Sequence, residues 1–411
     1  MAGLRIHHRP SAPGSQDVDT TKVLTAKSTD EQLEATMRGA GHTPTLFRAL
    51  GAALVLLFAL RGVARAADDT GSDCSAHSSA PCWRSFELPG GAGHMHYYAS
   101  GAGSPPRSAL VVMHGHPRDA TRSFDAGLRA VARAGLQADT LVVAPLYQVP
   151  EDQARHCGSP GVPRARVGDA VWTCGGWLAG DLSTGPNPLG AFAALDALVV
   201  ELSRQWPSLR TVTLAGFSAG AQMLQHSVGF AADPPDGVTL RYVIADPGSW
   251  LYFDPVRPLP RQDGHEVGWD TCGDGAAFPG GCSFTFRPPP TGEACATYDH
   301  WKYGVRGLPS YLGRSAAEAR SRYAAAQIAY IEGALDSSAG KGTYFGILDK
   351  SCGAMLQGPF RLQRGAAYVA YEEAVVTPGR RRQLVVVPGC AHDVSCVLPS
   401  EVARGVLFPM K

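Results

Sequence analysis

Ser218 stands at the centre of Gly216-Phe217-Ser218-Ala219-Gly220, and no second Gly-x-Ser-x-Gly occurs in the chain. A serine hydroxyl is a weak nucleophile at neutral pH. It becomes an effective one when an imidazole takes its proton during attack and a carboxylate holds that imidazole in one tautomer. The residues around Ser218 suit that chemistry. Thr211 to Leu214 is a short β-branched and apolar run, and Ala219 to His226 can begin a helix. Strand, sharp turn and helix together push the serine hydroxyl out above a sheet, with small residues on either side to let the neighbouring elements approach.

Such a turn requires a sheet, and the chain supplies one. Met95 to Ala99, Ser108 to Met113, Thr140 to Ala144, Thr211 to Leu214, Arg241 to Ala245, Gln327 to Ile331 and Gln383 to Val387 read as short strands, several of them continuously apolar. Between them Phe124 to Ala134, Asn187 to Trp206 and Gly353 to Glu373 have helical spacing, with Asn187 and Pro188 suited to a helix start. Strands alternating with helices predict a doubly wound, mostly parallel α/β sheet covered on both faces.

Two stretches break the rhythm. Gln148 to Pro188 carries Cys157, Trp172, Cys174 and Trp177 among glycines and prolines, and about 250 to 314 is rich in proline, cysteine and aromatics. Long segments of this kind inside a domain are commonly functional, so the second is expected to be a disulfide-stapled insertion that either caps a site or packs its own small core. Trp172, Trp177, Trp250 and Phe217 are the aromatic residues expected to wall a substrate site.

Composition narrows the function classes. The 411 residues are 45% hydrophobic, enough for a sizeable core, and Lys+Arg 37 against Asp+Glu 36 leaves a net charge of +1. That balance gives no electrostatic case for nucleic acid or for an anionic membrane surface. Met37, Arg38 and Arg48, the apolar run Ala49 to Leu60 and Ala64-Arg65-Ala66 form the three regions of a secretory signal at 37–66, cut after Ala66. The run is shorter than the roughly 18 to 20 residues of a membrane span, so no stable span is expected once the signal is cut. Residues 1–36 are polar and precede a complete signal, so translation is expected to start at Met37 and the mature domain to be 67–411. All ten cysteines follow the cut and none forms Cys-x-x-Cys, which favours disulfides over a metal site and places the protein in the medium or periplasm. Pairing of near neighbours gives Cys74 with Cys82, Cys157 with Cys174, Cys272 with Cys282 and Cys390 with Cys396, leaving Cys295 for Cys352.

The order of these features resembles the α/β-hydrolase superfamily from about Phe86 onward. Three places carry the likeness: Gly216 to Gly220, His114-Gly115-His116 after an apolar strand, and Gly389-Cys390-Ala391-His392 after the last strand. The resemblance implies Ser218 as nucleophile, His392 as base, and an oxyanion hole from the backbone N–H groups of Ala219 and His116. It implies a carboxylate at the end of a late strand, for which Asp336 is the choice, with Asp246 second and Asp349 third. Ser, Asp, His is the chain order this superfamily uses. His-Gly-x-x-Arg-Asp-Ala at 114 to 120, Trp-x-x-Gly-Gly-Trp at 172 to 177 and Leu-Asp-Lys-Ser-Cys at 348 to 352 are similar to secreted hydrolases loosely akin to polyhydroxyalkanoate depolymerases and feruloyl esterases.

The implied activity is cofactor-free cleavage of a small-molecule or polymeric carboxylic ester by a monomer. A thioester or peptide hydrolase would use the same groups, and a binding protein could retain the fold without the chemistry. His114 and His116 are expected to support the loop, and Arg118 and Asp119 either pair or stay solvated. His94 and His96 lack the further ligands a metal would need, so no metal is expected and both are expected to be surface residues.

Overall fold

The computed structural model describes residues 74–409 apart from 102–103, 274, 276–277 and 291–294. The signal at 37–66 and the polar stretch 1–36 lie outside the described residues.

Eleven strands are described: β1 (Trp83–Glu87), β2 (His94–Ala99), β3 (Ser108–Met113), β4 (Thr140–Leu146), β5 (Thr211–Phe217), β6 (Thr239–Ala245), β7 (Arg257–Gln262), β8 (His265–Glu266), β9 (Ser283–Arg287), β10 (Ile328–Gly333) and β11 (Leu384–Val387). Five longer helices accompany them: α1 (Ala120–Ala134), α2 (Ala191–Gln205), α3 (Ala219–Ser227), α4 (Ala316–Ala325) and α5 (Arg361–Tyr371). Eight strands make one sheet in the order β1-β2-β4-β3-β5-β6-β10-β11. Pairing is antiparallel from β1 through β2 to β4 and parallel from there to β11. The expected doubly wound, mostly parallel sheet is therefore present, with a chain reversal that puts β3 between β4 and β5.

Period-two alternation explains how the sheet is covered on both faces. Ala109, Val111 and Met113 of β3 point into one apolar cluster with Val212 and Leu214 of β5, while Leu110 and Val112 point into the opposite one with Ala215 and Phe217. The register Val111↔Leu214 and Met113↔Gly216 brings the ends of β3 and β5 level, so the loops that follow them meet.

Two helix assignments need correction. α2 begins at Ala191 behind Gly190. Asn187 does not cap it, because its amide instead donates to the Gly91 carbonyl. The predicted helix from Gly353 to Glu373 is broken: a short turn covers Cys352–Met355, and α5 starts at Arg361, after Gly358 at φ +134° and Pro359. Proline lacks an N–H donor and disfavours helix in the residue before it, so the spacing continued where the backbone could not.

All five disulfides pair as expected. In the insertion, β8-β7-β9 form a small antiparallel sheet that packs on α5, and Cys272, Phe278 and Cys282 share a satellite core with Leu362 and Ala366. Among the described residues no helix is long and apolar enough to cross a membrane.

Candidate active site

β5 runs through Phe217 and α3 starts at Ala219, so the turn between them is a single residue. Ser218 holds φ 57° and ψ −121°, a backbone conformation that L-residues rarely adopt and that recurs where function requires strain. Packing enforces it. A Cβ on Gly216 would lie 2.5 Å from the Gly220 carbonyl oxygen, and one on Gly220 would lie 2.4 Å from the His114 carbonyl oxygen. Both positions are closed to any side chain. The second contact also seats α3 directly beneath the loop after β3.

Ser218, Asp336 and His392, far apart in the chain, meet at the carboxyl end of the sheet. His392 Nδ1 is 2.8 Å from Asp336 Oδ2, and His392 Nε2 is 2.8 Å from Ser218 Oγ. A carboxylate only accepts, so Nδ1 carries the ring proton and donates it to Asp336. Nε2 is then the acceptor for the serine hydroxyl. Each partner is supplied by a strand end. Asp336 follows β10, its N–H bonded to the Gly333 carbonyl, and the loop bearing His392 follows β11. The Leu335 N–H donates to the Cys390 carbonyl at 2.8 Å, which ties the two loops together, and the Cys390–Cys396 disulfide closes the second.

Burial and one cation set the electrostatics. Asp336 is 1% and His392 7% exposed. Burial, followed by the nearby Arg361 charge, lowers the His392 pKa below its usual 6.5 against the opposing pull of Asp336, so the imidazole is neutral at neutral pH. Arg361 Nη1 donates to Asp336 Oδ1 at 3.1 Å and to the Thr343 carbonyl at 2.7 Å. Sequence reasoning missed this arginine, which lay inside a predicted helix with nothing in its spacing to mark it.

The loop after β3 reaches the serine. A Cβ on Gly115 would sit 3.9 Å from Ser218 Oγ. Among the described residues no acceptor takes the N–H of His116 or of Ala219, the first residue of α3. His114 supports the loop. Its Nε2 accepts from the Tyr147 N–H at 3.1 Å, so Nδ1 carries the proton and donates to the Gly115 carbonyl at 2.9 Å. Complete burial lowers its pKa to about 3, which keeps it neutral. His116 is half-buried, and burial together with the charges of Arg118 and Lys302 lowers its pKa. Arg118 does not pair with Asp119; its guanidinium turns inward onto backbone carbonyls.

All four expected substrate walls are core residues. Trp172, Trp177 and Trp250 are each 0% exposed and touch no solvent. Trp177 packs edge-on against His114 with centroids 4.7 Å apart and stacks on Tyr147, which Trp172 meets in turn. Trp250 stacks on Tyr368 at 4.4 Å. Large aromatics near a loop can brace it from within as readily as line a cleft, and sequence does not distinguish the two. Phe217 is 6% exposed, and its ring lies 4.6 Å from the His392 ring, fixing the imidazole from behind. Tyr344, which sequence reasoning missed, is 55% exposed with its ring 6.1 Å from that of His392, and it stands at the rim of the site.

Asp246, the second choice of acid, is at hand but bonded elsewhere. Its Oδ1 accepts from the Gly333 N–H at 2.7 Å. Burial and the charge of Asp336 raise its pKa to about 7, and burial beside Asp246 raises that of Glu332. Neither Glu332 oxygen finds an N–H donor among the described residues, so a shared carboxyl proton satisfies the Asp246–Glu332 pair. Asp349 bonds Tyr303 and the Ser351 N–H instead. His94 lies at the surface as expected, but His96 does not: it is buried on β2, where its ring bonds Asp169 at 2.8 Å. The one cluster of metal-type ligands among the described residues is Asp246, Asp336 and His392 itself, where the carboxylate and imidazole already bond each other.

No family model and no curated protein matches this chain. Among solved structures it is similar to poly(aspartic acid) hydrolase-1 from Sphingomonas sp. KT-1, at 20% identity and TM-score 0.49 over 79% of this chain and 98% of the other. It is similar also to the poly(3-hydroxybutyrate) depolymerase LpqC from Bordetella parapertussis, at 19% identity and TM-score 0.49 over 79% and 90%. The siderophore hydrolase EstB from Aspergillus nidulans aligns at 12% identity and TM-score 0.39 over 81% and 98%. None reaches a TM-score of 0.5, so the fold is read from the chain's own topology. With this strand order, a serine turn between β5 and α3, and a carboxylate and a histidine after the last two strands, the chain has the α/β-hydrolase fold.

Proposed function

We propose that the protein is an exported serine hydrolase that cleaves carboxylic esters through an acyl-enzyme. The observation that carries this reading is the continuous relay from Ser218 Oγ through His392 to Asp336, 2.8 Å at each step. In it, His392 Nε2 takes the hydroxyl proton as Ser218 Oγ attacks the ester carbonyl. The oxyanion that forms lies against the N–H groups of Ala219 and His116, each worth roughly 3 kcal/mol in the transition state. His392 then returns the proton to the departing alcohol, and a water repeats the sequence on the acyl-serine. Asp336, held by Arg361, keeps the tautomer and stabilises the imidazolium. No step calls for a cofactor. Five disulfides support export, since such bonds persist in oxidising compartments.

A protein that kept the fold for binding alone would have no use for the backbone strain at Ser218 or for a neutral imidazole aimed at its hydroxyl. Treatment with a fluorophosphonate probe separates the two readings. Labelling of the wild type that disappears in Ser218→Ala, together with hydrolysis of short 4-nitrophenyl esters, is the expected result. A wild type that neither labels nor hydrolyses any member of an ester panel overturns it.

A further inference from the structure

Tyr344 holds a backbone conformation that large side chains rarely adopt, and it gains little burial in return. Its φ is 50° and its ψ 35°, in the left-handed region, yet it is 55% exposed. Three residues on, Ile347 is 70% exposed, and neither side chain joins an apolar cluster among the described residues. Strain of this kind persists only where the surroundings impose it, and it gathers at functional sites.

The surroundings here are the residues that serve Ser218. The Gly342 carbonyl accepts the His392 N–H at 3.1 Å. The Thr343 carbonyl accepts from Arg361 Nη1 at 2.7 Å, the nitrogen that also donates to Asp336 at 3.1 Å. Tyr344 is the next residue, so its loop is tied to His392 directly and to Asp336 through Arg361. Thr343 and Leu348 are buried on either side, and the Phe345 ring packs on that of Phe360 with centroids 5.2 Å apart. Between those anchors the Ile347 N–H donates to the Tyr344 carbonyl at 3.1 Å, closing a single turn. The end Cα atoms of such a turn lie within about 7 Å of each other. A fixed segment thus holds two neighbouring apolar side chains in solvent.

Their place beside His392 decides which part of an ester they meet. The Tyr344 ring stands edge-on to the imidazole with centroids 6.1 Å apart, and His392 Nε2 is 2.8 Å from the Oγ of Ser218, itself only half-buried. When Oγ attacks, the carbon it bonds carries three other substituents. The oxyanion turns to its N–H donors, the leaving oxygen must face Nε2 to receive its proton, and the acyl chain takes the remaining direction. The group attached to the leaving oxygen therefore passes the imidazole ring and reaches Tyr344. Two side chains are too few for a protein partner, which covers about 800 Å² on each side.

We propose that Tyr344 and Ile347 form the subsite for the alcohol portion of the ester, and that this alcohol is apolar, with a ring or several carbons. This rests on the reading of Ser218 as an ester-cleaving nucleophile and names the substrate class for it. The exposed phenol ring and branched alkyl group offer apolar area and an aromatic face, which a ring-bearing alcohol covers and a small one such as ethanol leaves in water.

The test places one phenyl group on either side of the ester bond. On the alcohol side, kcat/KM for 2-phenylethyl acetate is divided by that for ethyl acetate; on the acyl side, that for ethyl 3-phenylpropanoate is divided by that for ethyl propanoate. The wild type should give an alcohol-side ratio of about tenfold or more, which should fall by about threefold in Ile347→Ser and towards one in Tyr344→Asn. Both positions are exposed and asparagine tolerates the left-handed backbone, so both variants keep the fold. The acyl-side ratio should not move in either. An alcohol-side ratio near one in the wild type, a ratio unmoved in either variant, or an acyl-side ratio that falls as far overturns the proposal. A wild type that takes no fluorophosphonate label fails the reading of Ser218 instead. There, or where the enzyme labels but cleaves none of the four esters, saturation-transfer NMR on 2-phenylethanol decides the subsite. Transfer seen in the wild type and lost in Tyr344→Asn supports it, and transfer absent from the wild type or retained in the variant overturns it.

Discussion

Asp246 and Asp336 end wholly buried within 4.8 Å of each other and of the same His392 ring nitrogen, yet only Asp336 bonds it. The difference is hydrogen-bond commitment. Asp246 accepts from the Gly333 N–H and shares a proton with Glu332, whereas Arg361 holds Asp336 and leaves Oδ2 free for the imidazole. Asp336→Asn should therefore lower kcat on a short ester by about ten-thousandfold, because an amide can present its N–H and favour the wrong tautomer. Asp246→Asn should cost less than about tenfold. Equal losses in steady-state assays would show that the two acids act interchangeably.

The same pair gives a pH-dependent stability. Asp246 titrates near 3.9 in the unfolded chain and at about 7 in the fold, so the folded state binds the proton more tightly. Its contribution is fully present below the unfolded value and is lost as pH rises through about 7. Asp246→Asn removes that loss. Chemical denaturation should find the variant gaining on the wild type between pH 5 and pH 8, and a gap that stays constant or reverses would refute the assignment.

In the proposed mechanism His392 must be neutral to act as base, so kcat/KM should fall as pH drops through its pKa. Burial and Arg361 place that midpoint below the ordinary 6.5. Arg361→Gln removes the second influence and should move the acid limb upward, with kcat reduced as Asp336 loses its clamp. A wild-type midpoint at or above 6.5 would contradict the electrostatic account.

What the sequence made legible is what local chemistry controls. The apolar runs at Ser108 to Met113 and Thr211 to Leu214 read as strands because burial on both faces requires it, and the glycines around Ser218 read as a sharp turn because nothing larger fits. Near-neighbour cysteines paired as expected because short loops keep their ends close. Arg361 and Glu332 were invisible, since their roles arise only when α5 packs over the end of β10, a long-range contact with no periodic signature. The tryptophans failed for a related reason: residue type shows that a ring will be buried or half-buried, and only the packed loops decide which.

The Cys390–Cys396 disulfide closes a loop of few residues, so its loss releases little chain entropy, about 2 kcal/mol. It does fix the turn that carries His392, whose N–H is otherwise anchored by a single bond to the Gly342 carbonyl at 3.1 Å. Paired replacement of both cysteines by serine should lower kcat/KM by about tenfold or more while shifting Tm by only a few degrees. Loss of cooperative unfolding with the residual activity of the folded fraction unchanged would show the bridge to be purely structural.

Gly220 tests the contact between the serine turn and the proposed oxyanion loop most directly. A Cβ at this position meets the His114 carbonyl oxygen at 2.4 Å and Met113 at 2.8 Å, backbone and core atoms that cannot swing aside. Gly220→Ala must therefore push α3 away from the loop after β3, separating the Ala219 N–H from that of His116 by tenths of an ångström. Overpacking of this kind typically costs about 1–3 kcal/mol of stability. The larger effect should fall on kcat, because an oxyanion site works through donor positions set before the reaction, and losing one donor costs about a hundred- to a thousandfold. Gly405→Ala, where the added methyl meets nothing within 4 Å, serves as the control and should leave both quantities unchanged. A Gly220→Ala enzyme with wild-type kcat on a short ester would show that the loop after β3 yields to the intrusion, and that the N–H of His116 is not held in place by the serine turn.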